Sequence, residues 1–62
     1  MKGEKLMYTI LRVYDDFGAV TETGDDITNI FSACAIYAED PSLITLKVWN
    51  TKDGTFIVDY DA

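Results

Sequence analysis

The sequence predicts a small two-layer α+β domain, ββαββ, in which two antiparallel hairpins form a sheet and one helix packs on one face of it. Three observations predict this. An alternating phrase occurs twice, Leu11-Arg12-Val13-Tyr14 and Leu46-Lys47-Val48-Trp49, each time followed by a glycine-bearing turn. Between the two lies a stretch with helical apolar spacing, opened by aspartates and closed by a proline. The chain of 62 residues is 48% hydrophobic, which suits one folded domain over residues 1–62 rather than a disordered segment.

The first strand reads from about Leu6 to Tyr14. Period-2 alternation places Met7, Thr9, Leu11 and Val13 on one face and Leu6, Tyr8, Ile10, Arg12 and Tyr14 on the other. The aliphatic set is the expected helix-covered face. Asp15 and Ala19 would flank a three-residue loop whose last residue, Gly18, supplies the left-handed position. That register sets Tyr14 opposite Val20 and Arg12 opposite Glu22, a pairing of opposite charges. The return strand, about 19–23, is short. Residues 1–5 are expected to be a disordered N-terminus.

Thr23-Gly24-Asp25-Asp26 opens the helix, since either aspartate can accept the orphan N–H bonds of the first turn. Ile27, Ile30, Phe31, Cys34 and Ala38 then share one stripe, with Ala35 and Tyr37 beside it and Ile36 opposite. Pro41 ends the helix near Glu39. The third strand, Leu43 to Asn50, turns Ile44, Leu46 and Val48 to one face. With Thr51 and Thr55 flanking the second turn, Trp49 meets Ile57, Val48 meets Val58, Lys47 meets Asp59 and Leu46 meets Tyr60. These pairings are chemically consistent, so this hairpin carries the clearest register.

Composition narrows function by exclusion. Eleven acids against five bases give a net charge of −6, which disfavours direct binding to nucleic acid and to anionic membrane surfaces. With no histidine, the commonest general base and the usual partner of a Ser or Cys nucleophile are missing, so no enzyme is expected. Cys34 sits on the apolar stripe, where a small inert thiol is expected. Asp15-Asp16-Phe17-Gly18 does not follow the spacing of a calcium loop. No metal and no cofactor is expected. The lone cysteine fits a reducing compartment, and cytoplasmic localisation is the expectation.

The surface is the informative part. In this reading Tyr8, Ile10, Arg12 and Tyr14 share an outer sheet face with Trp49 and Ile57, and Tyr, Trp and Arg are the types enriched at interface centres. Five acids and no base fall between residues 15 and 26, namely Asp15, Asp16, Glu22, Asp25 and Asp26. The expected function is a non-enzymatic, acidic protein-binding module, an inhibitor or adaptor that docks on a larger, basic protein. A sharper form is nucleic-acid mimicry, by analogy of size and charge with small acidic phage and mobile-element proteins. The alternative is a structural homodimer that packs through the aromatic face or an edge strand.

Overall fold

The computed structural model describes residues 6–62, and the expected disordered segment 1–5 lies outside them. The order is ββαββ, with β1 at Tyr8–Tyr14, β2 at Gly18–Gly24, α1 at Ile27–Tyr37, β3 at Leu43–Asn50 and β4 at Phe56–Asp61. The four strands form one antiparallel sheet in the order β2-β1-β3-β4. Because β2 and β3 run parallel with β1 between them, α1 must cross over β1 to join them. The helix therefore covers one face, and the other is left without a layer among the described residues.

Both hairpins close on a glycine with positive φ, Gly18 at +94° and Gly54 at +78°, a conformation that a Cβ penalises. The first loop is 15–17 rather than 16–18, so Tyr14 pairs with Gly18, Arg12 with Val20 and Ile10 with Glu22. The register differs from expectation by two residues, which preserves faces. Arg12 still reaches Glu22, now diagonally, at 2.9 Å. In the second hairpin Val48↔Val58, Lys47↔Asp59 and Leu46↔Tyr60 form as expected. Trp49 instead meets Phe56, because a bulge makes Ile57 an extra residue there.

Asp26 is the helix N-cap, and its carboxylate accepts from the Thr28 and Asn29 amides at 3.1 and 3.2 Å. The helix ends at Tyr37 with Ala38 as C-cap, two residues before Glu39. Asp40 then turns the chain by accepting from the amide and hydroxyl of Ser42, both at 2.9 Å. The buried stripe consists of Ile30 and Cys34, flanked by half-buried Ile27, Ala33 and Tyr37. Phe31 and Ala38, expected on that stripe, are exposed. The helix is rolled so that Tyr37 lies over Arg12, which turns the Phe31 side outward. Ile36 projects into solvent as expected.

The core joins Ile10, Tyr14, Leu43, Leu46 and Val48 of the sheet to Ile30 and Cys34 of the helix, with Leu46 and Val48 sealed most completely. This reverses the faces expected for β1. Tyr8, Ile10, Arg12 and Tyr14 turn toward the helix, and Ile10 and Tyr14 are each only 5% exposed. The reason is the β1–β3 register, which pairs Ile10 with Val48 and Arg12 with Leu46. Residues directly opposite share a face, so the buried aliphatics of β3 pull the even-numbered residues of β1 inward.

Candidate functional site: the open sheet face

The face away from α1 is built from the odd-numbered residues of the central strands. Thr9, Leu11 and Val13 of β1 lie beside Thr45, Lys47 and Trp49 of β3, paired Thr9↔Trp49, Leu11↔Lys47 and Val13↔Thr45. Ala19, Thr21 and Thr23 extend this face across β2. At the other edge the bulge sets Phe56 and Ile57 together opposite Trp49, and the rings of Trp49 and Phe56 lie 5.5 Å apart at 42°. Phe56 is 52% exposed and Ile57 38%. Leu11, Val13 and Trp49 are half-buried by their strand neighbours alone.

Polar groups are interleaved with these apolar ones, Lys47 lying opposite Leu11 and Thr45 opposite Val13. Lys47 donates to Asp59 and lies 3.6 Å from Asp61, while the Thr45 hydroxyl donates to Asp61 at 3.0 Å. These contacts, led by the Asp59 hydrogen bond, raise the Lys47 pKa above its ordinary value. Its charge is thus answered within the sheet. The hydroxyls of Thr9 and Thr51 are 2.7 Å apart at the end near Trp49. The face offers an aromatic and aliphatic centre, a threonine flank on β2 and an acidic margin on β4.

Of the sequence-derived site residues, the structure keeps Trp49 and Ile57 on this face and takes Tyr8, Ile10, Arg12 and Tyr14 off it. Arg12 serves the opposite layer. Its guanidinium lies 4.2 Å from the Tyr37 ring centroid, donates to the Tyr14 hydroxyl at 2.9 Å and pairs with Glu22. Burial opposes its charge, but the Tyr14 hydrogen bond and nearby electronegative groups outweigh that and raise its pKa overall. Tyr37 donates to the same Glu22 carboxylate at 3.3 Å. Burial raises the Tyr37 pKa most, with Arg12 opposing. The group is a clasp between sheet and helix. Leu11, Val13 and Phe56 belong to the open face although the sequence reading did not select them. The signal that selects Leu11 and Val13 is the parity of the β1–β3 pairing.

The acids of 15–26 do not form one patch. Asp15 and Asp16 lie in the β1–β2 turn, whereas Asp25 and Asp26 follow Gly24 at the opposite end of β2. The Asp15 amide donates to the Ser42 carbonyl at 2.9 Å, which brings the first turn beside the Glu39–Asp40 connection. One end of the sheet therefore collects acids from two distant stretches of sequence. Cys34 is a buried free thiol on the helix side, and burial, aided by the Glu22 charge, raises its pKa and keeps it protonated.

Among the described residues no helix is long and apolar enough to cross a membrane. Comparison with family models, with curated proteins and with solved structures finds no match to this chain.

Proposed function

We propose that this chain is a non-enzymatic protein-binding module of the cytoplasm, an inhibitor or adaptor, and that it docks through the open sheet face. The observation that supports this most is the uncovered strip of Leu11, Val13, Trp49, Phe56 and Ile57. In a two-layer domain such a face is ordinarily polar, and apolar and aromatic side chains left on it favour contact with another surface. The acids at the Asp15–Asp16 and Glu39–Asp40 end supply long-range attraction, so the partner is a protein with a basic surface beside an apolar site. Because the acids divide between the two ends of the sheet, we read them as steering charge rather than as a phosphate-like row. The net charge of −6 works against self-association, which ranks the homodimer second.

The test compares co-purification from host lysate for the wild type and for Trp49→Glu, Leu11→Glu and Phe31→Glu, with sedimentation of each. The expected result is a monomer that captures one protein, loses it with either open-face variant and keeps it with Phe31→Glu on the helix. Equal capture by all four would overturn the reading. A dimer broken only by the open-face variants would replace it with the homodimer.

A further inference from the structure

β2 and β4 are the two edges of the sheet, and they are not protected alike. β4 carries a bulge and two aspartates, devices that discourage another strand from adding. β2 runs seven residues, Gly-Ala-Val-Thr-Glu-Thr-Gly, in unbroken register with β1, without lysine, proline or bulge. No described strand pairs with its outer side. Such an edge presents a row of backbone donors and acceptors that a further strand can use.

Beside that edge, between β2 and the flank of α1, lies a cleft of about 290 Å³. Its floor includes Ile10, Ile30, Ala33 and Cys34, and its rim carries Glu22, Asp25 and Asp26. No lysine or arginine lines it, but Glu22 is already paired with Arg12 at 2.9 Å, so the attraction of the rim rests on Asp25 and Asp26. A strand added to β2 would send alternate side chains to the helix side, toward this cleft. A long basic side chain matches it, because its methylene stem can lie on the apolar floor while its charge reaches the carboxylate rim.

We infer that the β2 edge and its cleft bind an extended, lysine- or arginine-bearing segment of another protein by strand addition. Charge selects this occupant over a second copy. An antiparallel β2–β2 pair centred on Thr21 would set the Asp25–Asp26 end of each copy against the Asp15–Asp16 turn of the other, between chains that each carry −6. A basic segment turns the Asp25 and Asp26 carboxylates into attraction. The open sheet face is not used, so this surface stands apart from the docking reading above.

The test uses three synthetic peptides and backbone amide NMR of the intact chain. The first is Thr-Val-Thr-Lys-Val-Lys-Thr, the second has both lysines replaced by glutamate, and the third keeps the lysines but is N-methylated at alternate backbone positions. The first should shift the β2 amides and those around Asp25, slow the exchange of β2 amides with solvent, and bind identically to Trp49→Glu. The second and third peptides, and the first peptide against Asp25→Asn, should each bind about tenfold more weakly or worse, as expected when a charge pair or the backbone ladder is lost. Equal binding of the glutamate or N-methylated peptide would overturn the inference. So would shifts confined to the open face, the absence of any shift at millimolar peptide, or concentration-dependent pairing of β2 with itself.

Discussion

β1 and β3 lie side by side and carry nearly the same phrase, yet they use it in opposite ways. In β3 the aliphatics Leu46 and Val48 are sealed under the helix, while Lys47 and Trp49 turn to the open face. In β1 the aliphatics Leu11 and Val13 take the open face, while Arg12 and Tyr14 go inward. The antiparallel pairing sets Leu11 against Lys47 and Arg12 against Leu46, so the two phrases cannot share a facing. Basic residues follow the same split. Arg12 is clasped by Tyr37, Tyr14 and Glu22 beneath the helix, and Lys47 pairs with aspartates at the open surface. A strand phrase therefore has no facing of its own. The facing comes from its neighbour.

Substitutions at matching positions of the two phrases can break this contrast. The largest effect is expected at the aliphatic position. Leu46→Ala should lose about 2–5 kcal/mol because it opens a cavity in a sealed site. Leu11→Ala should lose about 1 kcal/mol, the ordinary cost of a half-buried substitution. Urea unfolding followed by Trp49 fluorescence measures both, and equal losses would mean that the two phrases face the same way.

The basic position should give the next largest difference. Arg12→Ala removes a charged hydrogen bond, an ion pair and a ring contact together, for a loss of about 2 kcal/mol. Lys47→Ala should lose clearly less than Arg12→Ala, since its charge and its carboxylate partners are solvent-screened. The same urea experiment reads the pair, and a larger loss at Lys47 would contradict the clasp.

The smallest effect concerns the connection that fixes α1 between the hairpins. Hydrogen bonds from Ser42, first from its amide and then from its hydroxyl, hold the Asp40 carboxyl below its ordinary 3.8. A depressed folded pKa stabilises above the unfolded value and is lost as pH falls through the folded one. The urea midpoint should therefore decline as pH falls below 3.8, and Asp40→Asn should lessen that decline. An unchanged acid limb in the variant would remove Asp40 from the account.

The element order and the second hairpin were legible because each had redundant signals. Gly54, the Lys47–Asp59 pair and the Leu46, Val48 alternation all agree on one register. The helix start was legible through the aspartates, of which Asp26 became the cap. β1 was not legible in its facing. Both of its faces are largely apolar, and the basic residue that suggests solvent is one whose stem packs inward and whose head is paired. Phe31 misled for a related reason, since the roll of the helix is set by Tyr37 meeting Arg12 across the layers. Two residues of the candidate site, Trp49 and Ile57, could be chosen from one hairpin alone. Leu11 and Val13 required the β1–β3 register, in which they meet Lys47 and Thr45, residues 36 and 32 positions further along the chain, and local pattern does not encode that contact.

The most direct test of the central claim is solvent paramagnetic relaxation enhancement with a soluble gadolinium chelate, read at side chains of both phrases. The account predicts strong enhancement at the Leu11 and Val13 methyls and the Trp49 indole, with the Leu46 and Val48 methyls and the Tyr14 ring protected. Protection of Leu11 and Val13 together with enhancement at Tyr14 would place the aliphatic face of β1 under the helix and contradict it.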